Sequence, residues 1–451
     1  MAKLKRCRAA ALSLAISIVI LGCQGQMELT ADKVSVAGPE PPVAEHAPKS
    51  DSPPAPSPAP GESDAGHDIA VRFDIHEPLD TLTSVQQPIE SGDVGEANTA
   101  DASAPGKDSL AFLKRDDMRA LWLWNELPRT STLLANAQEQ DALFAFAAAP
   151  HGDMSRALNR LFFEAREKHT SDVRAELFAV TYDPLTDEAH RPNLRAFLRR
   201  AKARGVAVEY LGGQAIWVAS DDNAAAGIRV CEDLVSFNAS TPALEERFDG
   251  VHLDIEPHTL DSGPYAGLWW ENRLPNGYNA DWTARWKHIL TSCKARFDAY
   301  YAESGHRLSF SSDVGTDYAF YNKPILEFLN RSDGPLDYIT IMNYYDDRLN
   351  SQGKAAFVYG AGAGELMVGG VAQNLALWSK LPVLIGVETG PTSIAPDEDS
   401  FFQEGWRPMY KVLDAMHADF AKTQLIGWAV HHYAPQSFRD LCEHGGLSCS
   451  P

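Results

Sequence analysis

The stretch Phe248–His258 reads FDGVHLDIEPH and contains two histidines and three acidic residues. Two sets of side chains alternate along it, the apolar Val251, Leu253 and Ile255 and the polar His252, Asp254 and Glu256. A period of two is the pattern of a β-strand, whose successive side chains point to opposite faces. Polar side chains on a buried face are costly unless they are paired or used. The stretch therefore predicts a strand that carries part of a functional site.

Similar short apolar runs alternate with helical patterns along the rest of the chain. The predicted strands are Arg119–Asn125, Arg160–Ala165, Val206–Leu211, Gly250–Glu256, Arg307–Asp313, Asp337–Tyr345, Val383–Thr389 and Leu425–Tyr433. Eight strand–helix units predict an α/β fold, a (β/α)8 TIM barrel in a single domain. A doubly wound open sheet is the alternative, but no G-x-G-x-x-G turn follows the first strand.

The chain opens with the basic and then apolar segment MAKLKRCRAAALSLAISIVILGCQ. This pattern predicts a secretory signal peptide over residues 1–22. Its end, Ile20-Leu21-Gly22-Cys23, resembles a bacterial lipobox, which implies lipidation of Cys23. A plain signal peptide with an incidental cysteine is the alternative. We expect an exported lipoprotein, held on a membrane of the cell envelope by lipid, because no later segment is apolar for long enough to span a bilayer.

Residues 23–109 are rich in Pro, Ala, Ser and acidic residues, as in PPVAEHAPKSDSPPAPSPAPGESDAG. Such a composition cannot bury enough apolar surface to offset chain entropy, so it predicts a disordered linker. Residues 110–451 have an ordinary globular composition and form the predicted barrel domain. The net charge of −21 argues against nucleic acid as a partner. We expect a monomer.

Four cysteines follow the linker: Cys231, Cys293, Cys442 and Cys449. An even number in an exported protein favours disulfides. We predict the pair Cys442–Cys449, which is close in sequence, and the pair Cys231–Cys293, which lies on neighbouring predicted helices. Four free thiols are the alternative. Metal binding by the cysteines is disfavoured, since no C-x-x-C spacing occurs.

Polar side chains, together with one methionine, recur on the inner face of the later strands toward their C-terminal ends. They are Ser309, Ser311 and Asp313 on the fifth, Thr340, Met342 and Tyr344 on the sixth, Glu388 on the seventh, and His431 and His432 on the eighth. Active sites of α/β barrels lie at this end of the strands. We therefore predict that these side chains converge with Glu256 on one mouth of the barrel. An internal hydrogen-bonded cluster without function is the alternative.

Two of these segments resemble motifs of glycoside hydrolase family 18, the chitinase-like barrels. The family's fourth-strand motif D-G-x-D-x-D-x-E corresponds to Asp249–Glu256, with His252 in place of the first inward aspartate. Its sixth-strand motif Met-x-Tyr-Asp corresponds to Met342–Tyr345, with an aspartate, Asp346, one position later. The family often ends its eighth strand with a tryptophan under the sugar, and the eighth strand here offers Trp428.

The resemblance implies a substrate-assisted hydrolysis of glycosidic bonds. Glu256 would be the general acid, Asp254 would orient the 2-acetamido group that attacks the anomeric carbon, and Tyr344 would hold that group. This route needs no nucleophile from the protein. Side chains expected to bind the carbohydrate are His252, Met342, Asp346, Asp313, Trp269, Trp270, Trp428 and His431. The sequence thus predicts a cell-envelope glycoside hydrolase acting on a polysaccharide or oligosaccharide with amino sugars.

Three alternatives stay open at this point. Glu388 on the seventh strand can act as the nucleophile of a retaining glycosidase if it lies about 5 Å from Glu256. A non-catalytic carbohydrate-binding barrel is the second alternative. A metal-dependent hydrolase is the third, but neither H-x-H on the first strand nor H-E-x-x-H occurs, and we expect no metal and no cofactor. Strand alternation also predicts that only one of His431 and His432 faces the site.

Overall fold

The computed structural model describes residues 117–125, 128–168, 180–260, 279–350, 353–360, 369–447 and 449. The predicted signal peptide, Cys23, the linker over 23–109 with its boundary at residue 110, Trp269 and Trp270 lie outside these residues. No helix in the described part of the chain is long and apolar enough to span a membrane.

Eight parallel strands close into a barrel in the order β1-β2-β5-β6-β7-β8-β9-β10, which confirms the predicted TIM barrel. Their bounds are Met118–Leu123, Arg160–Phe163, Ala207–Gly212, Gly250–Leu253, Ser309–Gly315, Tyr338–Met342, Val383–Glu388 and Leu425–His431. Two short strands, β3 (Glu167–Lys168) and β4 (Val180–Tyr182), pair antiparallel with each other and fall between β2 and β5 in the sequence. The predicted fourth and sixth strands extend further than β6 and β8, so their last residues lie beyond the sheet at the barrel mouth.

Ten α-helices are described, and they separate most of the barrel strands. In chain order, α1 to α10 are Thr130–Ala135, Ala137–Ala148, Arg191–Lys202, Asp221–Ala239, Ala280–Ser304, Tyr318–Tyr321, Lys323–Leu329, Ala356–Tyr359, Val371–Leu377 and Trp406–Phe420. Helix α3 shows why they cover the barrel. Its buried residues Leu194, Phe197, Leu198 and Ala201 recur at helical spacing and form one apolar face.

Each barrel strand has an outer face against the helices and an inner face against the barrel axis. Val251, Leu253 and Ile255 belong to the large outer core, as the alternation of FDGVHLDIEPH predicts. The inner core is small and includes Trp122, Phe162 and other side chains around the axis. The indole of Trp122 also packs close to Gly386 on β9, where a Cβ atom would lie 3.0 Å from the ring.

The barrel interior also contains an ion pair that sequence reasoning missed. Glu209 on β5 is fully buried and pairs with Arg160 on β2. Glu209 also accepts hydrogen bonds from Ser309 Oγ at 2.7 Å, Ser311 Oγ at 3.1 Å and Tyr338 Oη at 2.8 Å. A buried charge needs such partners to offset its desolvation. The network therefore keeps a carboxylate stable at the centre of the barrel.

Both predicted disulfides are present. Cys231 of α4 is bonded to Cys293 of α5 across a separation of 62 residues, and Cys442 is bonded to Cys449 across a separation of 7. Helices α4 and α5 flank β6 in sequence, so the first disulfide joins the two helices on either side of the strand that leads to Glu256.

The double substitution Cys231→Ala/Cys293→Ala is expected to lower the free energy of unfolding by about 4 kcal/mol, because a long loop is freed in the unfolded chain. The matched control Cys442→Ala/Cys449→Ala opens a short loop and should cost about 2 kcal/mol. Guanidinium unfolding of the two variants and the wild type measures both values. An equal or larger loss in the control would contradict the loop-entropy account.

Candidate active site

Asp254 and Glu256 lie just beyond the end of β6, at the mouth of the barrel. The backbone N–H of Asp254 donates to the carbonyl of Gly212 at 2.9 Å, and the chain then passes directly over Gly213. Gly213 has φ of +156°, and a Cβ atom there would lie 2.0 Å from the carbonyl oxygen of Asp254. Only glycine allows this approach. This close contact fixes the backbone that carries Asp254 and Glu256 against the end of the neighbouring strand β5.

The phenol of Tyr344 lies among four carboxyl groups. Burial raises its pKa well above the ordinary value, and the charges of Glu388, Asp313, Glu256 and Asp254 raise it further. These residues come from the ends of β6, β7 and β9 and from the segment after β8. The structure thus brings together five residues that the sequence predicted for one site.

Glu256 is the carboxyl group with the properties of a general acid. Its side chain is 24% exposed, so solvent and ligand can reach it. Burial raises its pKa well above the ordinary value, the charges of Asp254 and Asp313 raise it further, and His431 opposes them. A raised pKa favours the protonated form that a general acid needs to donate a proton.

His252 is fully buried below the mouth and connects the site to the barrel interior. Its Nδ1 lies 2.7 Å from Ser311 Oγ, and its Nε2 lies 2.9 Å from Asp313 Oδ2. The ring stacks in parallel on Phe162 with a centroid distance of 3.7 Å. Trp122 Nε1 also donates to Asp313 Oδ2, at 3.3 Å. Nδ1 is therefore hydrogen-bonded within the protein, whereas Nε2 lies close to Asp313 Oδ2 without hydrogen-bond geometry.

Glu388 is buried at the end of β9 with both oxygen atoms in contact with donors. Its Oε1 accepts from the backbone N–H groups of Thr389 and Gly390 at 2.7 and 2.6 Å, and its Oε2 lies 2.6 Å from His431 Nδ1. Burial opposes ionisation of Glu388, but the two histidines and the backbone donor outweigh it and lower its pKa. Glu388 is therefore an ionised, buried carboxylate whose charge is stabilised by hydrogen bonds from the protein.

The prediction that only one of His431 and His432 faces the site is wrong. Their rings lie 4.3 Å apart, and their Nδ1 atoms are 3.3 Å apart. Strand β10 ends at His431, so the alternation of a strand does not extend to His432. The peptide bond between them is cis.

Among the described residues, one group could offer ligands to a metal ion: Glu388, His431 and His432. One ligand atom from each lies within 4.8 Å of the others. The 2.6 Å between Glu388 Oε2 and His431 Nδ1 is a hydrogen-bond distance. Two ligands of one tetrahedral Zn²⁺ lie about 3.3 Å apart, given bonds of about 2.0 Å. The arrangement is thus that of a hydrogen-bonded pair, and it would have to open to bind a metal.

The placement of Trp428 corrects the prediction that it lies under the substrate. It is 5% exposed and belongs to the outer core, where its ring packs on Tyr410 of α10 at 6.0 Å. It stands beside Ile385 in the sheet, and a register shift between Leu425 and Gly427 precedes it. Trp428 therefore faces the helices and not the barrel mouth.

Two other predicted ligands lie at the edge of the cluster. Asp346 accepts from the backbone N–H of Arg348 at 2.9 Å and lies 3.4 Å from its guanidinium, so its observed contacts order the loop after β8. Met342 is buried at the last position of β8. Contact of either residue with a substrate stays a prediction.

From the sequence, Trp124 could be either a sugar-stacking residue or a core residue, and it follows β1 directly. Its ring is partly buried, 6.4 Å from that of His431. An aromatic face at a barrel mouth is a surface on which the C–H face of a sugar can stack. The alternation of side chains along β1 indicates that Trp124 faces the barrel mouth, since it shares one face with Trp122 and Trp122 points to the barrel axis.

No protein-family model and no curated protein sequence matches the chain. Solved structures are similar to it in overall fold. A glycoside hydrolase family 18 N-acetylglucosaminidase from Paenibacillus barengoltzii has 14% identity and a TM-score of 0.39, with 70% of this chain and 95% of that chain covered. The catalytic domain of chitinase B from Arthrobacter TAD20 has 12% identity and a TM-score of 0.40, with 75% and 98% covered.

A chitinase from Bacillus thuringiensis has 12% identity and a TM-score of 0.42, with 74% of this chain and 67% of that chain covered. At these identities and TM-scores the similarity is one of general architecture. A function for this chain is therefore argued from its own site.

The substitution Glu388→Gln is expected to lower the free energy of unfolding at pH 7 by about 3 kcal/mol, because it leaves His431 buried without its anionic partner. His431→Asn should have a similar effect, and the double variant should lose less than the sum. The effect of Glu388→Gln should shrink as pH falls below the ordinary glutamate pKa, since the contribution of a depressed pKa is lost on protonation. Chemical unfolding at several pH values measures these quantities.

The exposed pair Lys323 and Glu327 on α7 is the matched control, and its coupling should stay below about 0.5 kcal/mol. Strictly additive losses at Glu388 and His431 would contradict the ion pair. A melting temperature that rises with added Zn²⁺ in the wild type, but not in Glu388→Gln, would show instead that this group binds metal.

Proposed function

We propose that the protein is a glycoside hydrolase that cleaves oligosaccharides or polysaccharides containing N-acetylated amino sugars by a substrate-assisted mechanism. The observation that carries the proposal is the state of Glu256. It is accessible at the barrel mouth, its pKa is raised, and it stands next to Asp254 and the Tyr344 phenol. A protonated acid beside a carboxylate and a hydroxyl is the set that this reaction needs.

In the first step Glu256 donates its proton to the glycosidic oxygen, and the bond from that oxygen to the anomeric carbon breaks. The carbonyl oxygen of the substrate's own 2-acetamido group forms the new bond to the anomeric carbon. Asp254 accepts the hydrogen bond of the amide N–H, whose acidity rises as the ring closes, and Tyr344 holds the acetamido group in place. In the second step water attacks the anomeric carbon and gives a proton to Glu256, while the bond from that carbon to the acetamido oxygen breaks and the amide carbonyl re-forms.

Glu388 is the nucleophile in the alternative double-displacement mechanism, which its ionised state at a strand end favours. Its hydrogen bonds argue against that role. One oxygen accepts from two backbone N–H groups and the other pairs with His431, so both are stabilised as they stand. Attack on carbon would have to give up a charge-assisted hydrogen bond. We therefore propose that Glu388 contributes negative charge to the site and does not act as a nucleophile.

Hydrolysis tests the proposal directly. Wild type, Glu256→Gln and the exposed control Glu327→Gln are assayed on aryl N-acetylglucosaminides, chitin oligosaccharides and aryl glucosides, each with and without a thiazoline inhibitor. Glu256→Gln should lower kcat by about 10²–10⁴-fold, since the general acid is lost, and Glu327→Gln should not. Activity should require the acetamido group and be blocked by the thiazoline.

Other outcomes discriminate the alternatives. Cleavage of aryl glucosides that the thiazoline leaves untouched, and that Glu388→Gln abolishes, would move the nucleophile to Glu388. Binding of oligosaccharides without cleavage by the wild type would show a carbohydrate-binding barrel. Sensitivity to chelators, restored by Zn²⁺, would show a metal-dependent hydrolase.

We also propose that the protein is exported and anchored to a membrane of the cell envelope through lipid on Cys23, as the lipobox-like Ile20–Cys23 suggests. Metabolic labelling with an alkyne fatty acid should mark the wild type, and the Cys23→Ala variant should lose the label and move to the aqueous phase of a detergent partition. Cys7→Ala is the control and should keep the label. Equal partitioning of all three proteins would exclude the anchor.

A further inference from the structure

Two consecutive residues where β9 ends, Glu388 and Thr389, hold His431 of β10 at two separate points. Glu388 Oε2 lies 2.6 Å from His431 Nδ1. The backbone N–H of Thr389 donates to the carbonyl of His431 at 2.9 Å, and Thr389 Oγ1 donates to the same carbonyl at 2.6 Å. All three residues are more than nine-tenths buried. The side chain and the backbone of His431 are therefore both fixed from the end of β9.

The hydrogen bond between Glu388 and His431 has a defined polarity. Glu388 Oε1 accepts from the backbone N–H groups of Thr389 and Gly390, which can only donate. Glycine permits this turn, because a Cβ atom at position 390 would lie 3.0 Å from Glu388 Oε1 and 2.9 Å from Ile394. Such donors favour the ionised carboxylate, which can only accept. An imidazole is also the stronger base, so the proton of the 2.6 Å contact belongs to His431 Nδ1.

This polarity leaves Nε2 on the edge of the imidazole that is turned away from Glu388. The ring centroid of His431 lies 6.4 Å from that of Trp124 and 6.2 Å from that of Tyr344, and both of these side chains are partly exposed. Burial raises the pKa of Glu256 and His431 opposes this rise, so the imidazole acts within reach of the general acid. His431 is therefore held on one edge by Glu388 and lies beside the groups of the barrel mouth.

We propose that Glu388 is a positioning residue that fixes the ring of His431 with Nδ1–H toward itself, and that His431 presents Nε2 to a hydroxyl group of the sugar bound at the mouth. A hydroxyl suits this place, because it both donates and accepts and so matches either protonation state of Nε2. The sugar contact rests on the proposed function. The direction of the hydrogen bond between Glu388 and His431 does not.

Fixation of the ring matters because an imidazole carries nitrogen at only two of its positions. A flip about the bond that joins the ring to Cβ would place carbon atoms where Nδ1 and Nε2 now lie. The flip would also remove a donor from the buried carboxylate of Glu388, which is costly. His432 Nδ1 lies 3.3 Å from His431 Nδ1, farther away than Glu388 Oε2 at 2.6 Å. Glu388 therefore makes the stronger of the two contacts and selects one orientation of the ring.

The protonation of the two ring nitrogens tests the positioning role without reference to activity. The full chain is labelled with ¹⁵N-histidine, and the His431 signals, among those of 14 histidines, are those lost in His431→Asn. We expect a protonated Nδ1 in the wild type. In Glu388→Gln the neutral amide favours Nδ1–H less, so a second form with the proton on Nε2 alone should appear. A bare Nδ1 with a protonated Nε2 in the wild type would overturn the positioning role.

Ligand binding to the same labelled protein tests the sugar contact. The Glu256→Gln variant is used, because it should bind a chitin oligosaccharide without cleaving it. A saturating concentration of the oligosaccharide should move the ¹⁵N signal of His431 Nε2. His444 is the control, since its side chain is 76% exposed, and its signals should stay in place. A His431 Nε2 signal that does not move while the oligosaccharide binds would overturn the contact.

A double-substitution cycle tests whether Glu388 acts through His431. Glu388→Gln and His431→Asn should each raise KM by about tenfold and change kcat by less than about threefold, because the lost hydrogen bond holds a hydroxyl that takes no part in bond breaking. The double variant should show the same rise of about tenfold, since Glu388 then has no ring to orient. The exposed control Glu327→Gln should leave KM unchanged.

A rise in KM of about a hundredfold in the double variant, the product of two independent losses, would contradict the positioning role. A fall in kcat with KM unchanged would contradict the sugar contact. Melting temperatures identify unfolded protein, which lowers the apparent kcat and leaves KM as it is. If no oligosaccharide is bound or cleaved, the proposed function fails and the sugar contact fails with it, while the protonation of Nδ1 still decides the positioning role of Glu388.

Discussion

The ion pair of Arg160 and Glu209 is the constraint on which the upper half of the barrel depends. The carboxylate of Glu209 accepts hydrogen bonds from two serine hydroxyls and from the Tyr338 phenol. Ser311 in turn lies 2.7 Å from His252 Nδ1, so the hydrogen bonds continue one step toward the mouth. Buried ion pairs contribute little net stability in many proteins, but a buried carboxylate requires donors around it.

The architecture and the inner face of the strands were accessible from the sequence. Short apolar runs between helical patterns identified all eight barrel strands, and parity alone separated Val251 and Leu253 from His252. Parity is a local property of the chain, so it needs no knowledge of neighbouring strands. The position of Glu256 followed in the same way, because barrel sites lie at the C-terminal ends of strands.

Contacts between strands were not accessible in this way, because they depend on register. The partner of Glu209 is Arg160, and that pairing follows from the alignment of β2 with β5. Trp428 was misplaced because the sheet shifts register between Leu425 and Gly427, ahead of it. His432 was misplaced because β10 ends at His431, two residues before the predicted strand end at Tyr433. In each case the deciding quantity is a geometric relation between segments distant in sequence.

The disulfide between α4 and α5 adds a covalent constraint around one of the barrel strands that carry the site. It closes a covalent ring that contains β6, Asp254, Glu256 and residues 261–278, while the other seven barrel strands lie outside the ring. The ends of this ring are held together by a bond and not by packing alone. Helices α4 and α5 therefore cannot separate at this point while the bond is intact, whatever happens to the packing around β6.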